Sequence, residues 1–217
     1  MNIIYFILLF FIYSIFGWIV ETIYVFIRNH KFTNRGFLMG PYLPIYGFGC
    51  LFLIIFLDNS TNDIFGIFLK SIIICSILEY FTSYIMEKIF KTRWWNYGNR
   101  KFNINGRICL ETTIPFGILG CLLMYIINPF ITSFIFSINI NIIYLITFLL
   151  LFIFTVDFTI SCKIIFNIRG IIKDVAVDGT EEITNMVKEI LNKSKMYKRI
   201  NKAFPKFQII KVFNMKK

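Results

Sequence analysis

Apolar residues form long blocks separated by short polar loops, a pattern that predicts helices crossing a membrane. Five blocks are long enough to span a hydrocarbon core, at residues 3–27, 37–57, 64–90, 108–128 and 142–162. We therefore expect an all-α membrane protein with five transmembrane helices in residues 1–162, followed by a basic cytoplasmic tail in residues 163–217.

The composition supports a membrane protein. The chain has 217 residues, of which 57% are hydrophobic and 27 are Phe, values outside the usual range for soluble domains. No basic segment precedes the first block and no small-residue cleavage site follows it, so we expect an anchor and not a cleaved signal peptide. Abundant Ile, Asn, Phe and Lys favour an AT-rich genome, so the predicted location is a bacterial cell membrane, with several passes.

The loops alternate in charge, which predicts their orientation. Loops 28–36 and 91–107 are basic, loop 58–63 carries only two aspartates, and loop 129–141 carries no charge. Basic loops stay on the cytoplasmic side, which places the N-terminus outside and the tail in the cytoplasm. The net charge of +11 then reflects orientation in a lipid bilayer, and we expect no nucleic-acid partner.

The first two helix pairs resemble each other. Glu21 in WIVETIY aligns with Glu79 in SILEYFT, and Gly49-Cys50-Leu51 aligns with Gly120-Cys121-Leu122. Both pairs would cross from outside to inside and back, which indicates a possible parallel repeat about an axis along the membrane normal. Chance similarity between short apolar segments is the alternative.

Two glutamates lie within apolar blocks. An ionised carboxylate at membrane depth is costly, so Glu21 and Glu79 should face other helices, bind a proton or meet a cation. Trp18 shares the face of Glu21 at helical spacing. Interhelical packing and a polar substrate or proton site both remain open interpretations.

The second and fourth blocks are rich in glycine and proline. Glycines allow close helix approach, and prolines free backbone carbonyls one turn earlier, which then need protein partners or a wet cavity. A kinked helix without any site is the alternative. The predicted structural residues are Gly36, Gly40, Pro41, Pro44, Gly47 and Gly49 in the second block, and Pro115, Gly117 and Gly120 in the fourth.

Charged and aromatic residues flank these blocks. Arg35 and Arg107 stand near predicted helix N-termini, where anions bind favourably. Arg107 is also four residues before Glu111, so a simple ion pair is the alternative. Trp94, Trp95 and Tyr97 form either an aromatic belt at the headgroups or a lid over a pocket.

Several chemistries find no support in the sequence. His30 is the single histidine and no two of the five cysteines have C-x-x-C spacing, so we expect no metal site and no cofactor. No P-loop motif occurs, so nucleotide hydrolysis by that route is not expected. Residues 180–199 form a predicted amphipathic tail helix that either lies on the inner leaflet or binds a partner.

Residues 12–125 resemble a bacterial family of ABC-transporter permeases (type IV, CmpB-like). The resemblance rests on Gly17-Trp18 with Glu21, on NRGFLMGPYLPIYGFG at 34–49, on Leu78-Glu79-Tyr80, on Arg93-Trp94-Trp95-x-Tyr97, and on Phe102-Asn103 with Gly106-Arg107. It departs at Asn96, where the family pattern has an acid. The resemblance implies a permease, and five helices are few for a translocation path, so it also implies a homo-oligomer or a separate ATPase subunit.

Three functions follow as hypotheses. The first is a transport component with an inward-facing polar pocket, and the second is a membrane-embedded enzyme or lipid-binding protein acting on a phosphorylated or lipid-linked substrate at the inner leaflet. The third is an assembly or sensor subunit acting through the tail. The candidate substrate-binding residues are Glu21, Glu79, Arg35, Arg107, Trp18, Glu111, Trp94, Trp95, Tyr97 and Asn103.

Overall fold

The computed structural model describes residues 2–57, 63–90, 92–178, 195–203 and 208–209, and it is mainly helical. The helices are α1 (Ile3–Asn29), α2 (Pro44–Phe56), α3 (Ile64–Phe90), α4 (Leu110–Leu122), a π-helical turn (Leu123–Ile127), α5 (Asn128–Phe136), α6 (Ile140–Asp178) and α7 (Lys195–Ala203). Four short strands are β1 (Thr92–Arg93), β2 (Asn103–Ile104), β3 (Ile108–Cys109) and β4 (Gln208–Ile209). Strand β2 pairs antiparallel with β3, and β1 pairs antiparallel with β4.

Within the described ranges, four helical stretches are long and apolar enough to cross a membrane: Ile3–Asn29, Ile64–Phe90, Leu110–Phe136 and Ile140–Asn167. Between 11% and 33% of their most apolar windows is buried inside the protein, so most of their surface faces outward. Phe130 and Phe148, for example, are 75% and 70% exposed. Such apolar surfaces are stable in hydrocarbon and unfavourable in water, which confirms the predicted membrane character.

The predicted helix over 37–57 is wrong in its first part. Residues 36–43 are not helical, and α2 begins only at Pro44 and ends at Phe56, with 13 residues. Pro44 occupies the first turn, where its missing N–H has no intrahelical partner to lose, so it starts the helix and does not kink it. Among the described residues α2 is a short apolar helix and is not one of the four stretches long enough to cross a membrane, so the fifth span is not confirmed.

The predicted uncharged loop over 129–141 is also wrong, because helix continues through most of it. The π-helical turn joins α4 to α5, and only residues 137–139 separate α5 from α6. A side-chain hydrogen bond ties this region to α1, since the Tyr13 hydroxyl donates to Asn128 Oδ1 at 2.8 Å. Helix α6 extends well past the predicted end at 162, to Asp178.

Close packing of α2 on α1 depends on glycine. A Cβ on Gly47 would lie 2.3 Å from Ser14 Oγ and 2.6 Å from the Phe10 carbonyl oxygen, so only hydrogen fits there. Gly120 of α4 meets Ser71 of α3 in the same manner, with a Cβ-to-Oγ distance of 2.1 Å. At Gly47 and Gly120 a neighbouring helix therefore approaches too closely for a side chain, whereas Gly36 and Gly40 lie outside any helix.

The apolar core lies toward the N-terminal end of α1. Its buried members come from α1, α2, α3, the π-helical turn, α5 and α6, and include Leu9, Leu53 and Ile143. The opposite end, where α1 and α3 finish, carries both basic loops, and we call it the basic end. A second buried cluster lies there: Phe90, Trp94, Ile165 and Ile200.

The tail returns to the basic end. Most of the predicted tail helix over 180–199 lies outside the described residues, but α7 covers its last part and continues to Ala203. Strand β4 then pairs with β1, so that Ile209 lies opposite Thr92.

Candidate functional site

The non-helical segment 36–43 runs beside α1 and reaches its middle. The Leu43 N–H donates to the Ser14 carbonyl oxygen at 2.9 Å, and Ser14 is halfway along α1. This segment therefore carries irregular backbone into the apolar region of the bundle. At that depth backbone groups must find partners within the protein.

Asp157 of α6 supplies the main partner for this segment. Its carboxylate accepts from Met39 N at 2.9 Å and from Gly40 N at 2.7 Å. The Tyr42 hydroxyl and the Ser161 hydroxyl also donate to it. Asp157 is only 8% exposed, so this group is a buried cap for the unwound backbone. In the sequence, Asp157 has the position of a surface acid near the inner end of its helix. The signal that could have identified it is the glycine- and proline-rich segment 36–43, whose backbone N–H groups need a hydrogen-bond acceptor.

Glu21 of α1 lies beside the start of α2. The Tyr46 hydroxyl donates to Glu21 Oε1 at 2.8 Å, and Arg35 Nη2 lies 3.4 Å from Glu21 Oε2. The predicted neighbour Trp18 donates through Nε1 to Asn34 Oδ1 at 2.7 Å, which fixes the loop that holds Arg35. Tyr46 was not among the sequence candidates.

Glu79 of α3 is 8% exposed and has few partners. The Tyr97 hydroxyl donates to Glu79 Oε1 at the long distance of 3.3 Å. Glu79 Oε2 is buried and makes no hydrogen bond within the described part of the chain. The nearby Thr112 hydroxyl donates to the Cys109 carbonyl oxygen at 2.9 Å.

The two glutamates influence the same phenols. Burial raises the pKa of the Tyr97 phenol, and the negative charges of Glu79 and Glu21 raise it further, so Tyr97 remains a neutral donor. Tyr46 is near both carboxylates and near Tyr97 as well. Glu21, Arg35, Tyr46, Glu79 and Tyr97 therefore form one group, which we call the carboxylate–phenol cluster.

Arg107 belongs to a second polar group, which it forms with Ser83 and Glu87 of α3, about one and two turns after Glu79. Its Nη1 lies 2.9 Å from Glu87 Oε2 and 3.2 Å from Ser83 Oγ. The guanidinium also packs over the rings of Tyr80 and Tyr84, at 5.7 and 5.4 Å from their centroids. Arg93 joins the same Glu87 oxygen at 3.2 Å.

The predicted Arg107–Glu111 pair is not formed. Glu111 instead meets Arg100 at 2.9 Å, and their side chains are 58% and 47% exposed. Asn103 accepts from Gly106 N at 3.0 Å and donates to the Arg100 carbonyl oxygen at 2.7 Å, so it orders the loop between β2 and β3. Both residues lie outside the carboxylate–phenol cluster.

The two tryptophans after α3 face the protein. Trp94 is 3% exposed and packs with Phe90 and Ile165, which does not fit an aromatic belt at the headgroups. Trp95 donates through Nε1 to the Arg107 carbonyl oxygen at 3.0 Å. Tyr97, the third member of the predicted aromatic trio, contacts a membrane carboxylate through its hydroxyl, which donates to Glu79.

Helix α7 covers the loop that leads into the unwound segment. Arg199 donates to the carbonyl oxygens of Leu38 at 2.7 Å and Phe37 at 3.0 Å. Arg35 donates to the Ala203 carbonyl oxygen, which links the tail directly to the carboxylate–phenol cluster. Burial lowers the pKa of the Arg199 guanidinium, and the nearby Asp157 charge opposes that shift.

No group of three or more His, Cys, Asp or Glu side chains that could hold a metal ion occurs among the described residues. The five cysteines are present as free thiols, and Cys109 is the buried one.

A sequence model of the family described as "Putative ABC-transporter type IV" matches residues 8–162. The chain belongs to this family. The match covers most of the chain, confirms the resemblance, and extends it beyond residue 125 to include Asp157 in α6. No curated protein and no solved structure matches the chain. Membership of this family and the four long apolar helices of the described residues are consistent with a membrane transport component.

Proposed function

We propose that the protein is the membrane permease component of a bacterial transporter, and that the carboxylate–phenol cluster forms its polar, inward-facing binding site. The charge of the loops places the basic end in the cytoplasm. The single observation that supports the site is the convergence of two membrane carboxylates, from α1 and α3, on the buried phenols of Tyr46 and Tyr97.

The unwound segment gives this site a physical basis. Residues 36–43 replace a helical turn with irregular, non-helical backbone held by Asp157, Asn34 and Arg199. Irregular backbone beside short helices is a recurring way in which transporters build sites inside a membrane. Arg35, at the start of this segment, brings a positive charge to Glu21.

Energy for transport would come from a partner. No P-loop motif occurs in this chain, so the proposal requires a separate ATPase subunit, and the basic end is where it would bind. Four long helices and one short one make a narrow bundle, so we also propose a homo-oligomer as the working unit.

The alternative, an enzyme or lipid-binding protein for a phosphorylated substrate, depended on a free Arg107. Glu87 neutralises Arg107 at 2.9 Å, and Tyr80 and Tyr84 flank it. These contacts support a structural role for Arg107, so the transport proposal is preferred.

Solute profiles of living cells test the proposal. The gene is deleted in its own host, and the strain is complemented with wild type, Glu79→Gln or the exposed control Glu111→Gln. We expect wild type and Glu111→Gln to restore the level of at least one intracellular solute, measured by mass spectrometry, and Glu79→Gln to fail while still inserting in the membrane. An unchanged profile on deletion, or full restoration by Glu79→Gln, would refute it.

A further inference from the structure

Glu79 differs from the other membrane acids in having no cationic partner among the described residues. Glu21 has Arg35, and Glu87 has both Arg93 and Arg107. Asp157 accepts from two backbone N–H groups and two hydroxyls. Glu79 has one long hydrogen bond from Tyr97 and lies near the Thr112 hydroxyl, and its buried Oε2 has no hydrogen bond within the described part of the chain.

Within the described residues, the groups that surround Glu79 are oxygen and sulfur atoms and none of them is positively charged. Each packed element contributes a group: Glu21 from α1, Tyr46 from α2, Cys75 from α3 itself, Tyr97 from the loop after α3, and Thr112 from α4. Arg35 is committed to Glu21 and to the Ala203 carbonyl oxygen. With both glutamates ionised, the carboxylate–phenol cluster therefore carries one net negative charge.

A buried negative charge without compensation is strongly unfavourable at membrane depth. Binding one positive charge at Glu79 would remove that penalty. The hydroxyls of Tyr97 and Thr112 can turn their oxygen lone pairs toward a cation, or accept a hydrogen bond from a protonated carboxyl. A divalent metal fits less well, because no cluster of three metal-ligating side chains occurs in the described part of the chain.

We propose that Glu79 binds one exchangeable positive charge, either a proton or a monovalent cation, at its free Oε2. The use of this charge as a coupling ion rests on the proposed transport function, whereas its binding to Glu79 does not. The charge binds reversibly and no covalent bond to carbon is made or broken.

Infrared difference spectroscopy on the purified full-length protein in nanodiscs tests this binding without any transport assay. Spectra are recorded while the pH is raised at constant salt, and then while N-methylglucamine chloride is exchanged for NaCl, KCl or methylammonium chloride at constant ionic strength. The variants are Glu79→Gln, Glu79→Asp and the exposed control Glu111→Gln.

Two results support the proposal, and they distinguish a bound proton from a bound monovalent cation. A carboxylic-acid band that fades as the pH rises and is lost in Glu79→Gln identifies a proton. A carboxylate band that shifts with one of the three cations and is lost in Glu79→Gln identifies a monovalent cation. Glu111→Gln should retain either signal, and Glu79→Asp should keep it at a changed frequency.

The contrary result is a Glu79 that is ionised throughout and insensitive to all three cations. If Glu79→Gln fails to fold, the persistence or loss of the signal in Glu79→Asp decides in its place. A negative solute profile combined with a positive infrared signal would refute transport while leaving the binding site intact.

Discussion

At the scale of single residues, burial decides which of the ion pairs matter. The side chains of Arg107 and Glu87 are 10% and 23% exposed. The Arg107 guanidinium also donates to Ser83 and packs over the rings of Tyr80 and Tyr84. The Arg100–Glu111 pair is about half exposed on both sides. Exposed pairs contribute little because water screens them, whereas removing one partner of a buried pair leaves a charge without compensation.

Replacing Glu87 should therefore be costly. We expect Glu87→Ala to lower the free energy of unfolding by about 3 kcal/mol, since it leaves Arg107 and Arg93 without their carboxylate. The control Glu111→Ala should change it by less than about 1 kcal/mol. Reversible unfolding in mixed micelles measures both. Equal effects for the two variants would contradict the structural role of the Arg107 group.

Asp157 is the second residue whose replacement should have a large effect. Asp157→Ala removes the acceptor for two backbone N–H groups and two hydroxyls, and each buried donor left unsatisfied costs roughly 1–3 kcal/mol. We expect a loss of several kcal/mol, on the order of 4, by that principle. Ser161→Ala removes one donor only and should cost about 1 kcal/mol. A mild Asp157→Ala variant would show that segment 36–43 has other support.

At the scale of elements, two glycines of α2 have different surroundings: Gly47 faces α1, whereas Gly49 faces α3. Gly47 has Ser14 Oγ and the Phe10 carbonyl where its Cβ would be. Gly49 lies two residues further along α2, on its opposite face. A Cβ at Gly49 would lie 3.5 Å from Leu78 Cδ2, which is an ordinary van der Waals contact. The two positions form a matched pair in the same helix.

We expect Gly47→Ala to separate α2 from α1 and to lower thermal stability in detergent by several degrees. Gly49→Ala should be neutral or stabilising, because alanine favours a helix interior by about 1 kcal/mol over glycine. Thermal melts followed by circular dichroism compare them. Similar losses at both positions would argue against the close packing at Gly47.

The elements also show where sequence reasoning was sufficient. Hydropathy predicted five spans, and four of them coincide with helices that are long and apolar enough to cross a membrane in the described part of the chain. Hydropathy could not predict that residues 36–43 are non-helical, because that conformation depends on the acceptor Asp157 and the donor Arg199, more than 100 residues away. Helical spacing favoured an inward face for Glu79, which is 8% exposed, whereas Arg35 and Glu21 were named as candidates without their 3.4 Å contact being predicted.

At the scale of the whole molecule, the tail joins the two basic loops. Helix α7 donates to the carbonyls of the first loop through Arg199 and Lys202, and Ile200 is buried against Phe90 and Trp94. Cys162 of α6 packs against the same buried cluster. The thiol of Cys162 is therefore a native reporter of whether α7 is docked.

We expect Arg199→Gln to increase the rate at which a maleimide labels Cys162, because the substitution removes a charged donor to the Leu38 and Phe37 carbonyls. Lys198→Gln is the control, since Lys198 is exposed on the same helix. Peptide mass spectrometry separates Cys162 from the other four thiols. Equal labelling in wild type and Arg199→Gln would show that these hydrogen bonds do not hold the tail.

The most direct test of the shared site is a double-mutant cycle between Glu21→Gln and Glu79→Gln, measured by reversible unfolding. Carboxylates in one compartment should give a coupling free energy of at least about 0.5 kcal/mol, whereas distant and independent sites add to within about 0.3–0.5 kcal/mol. The control cycle of Glu79→Gln with Glu111→Gln should be additive. An additive Glu21–Glu79 cycle would contradict a common site for the two glutamates.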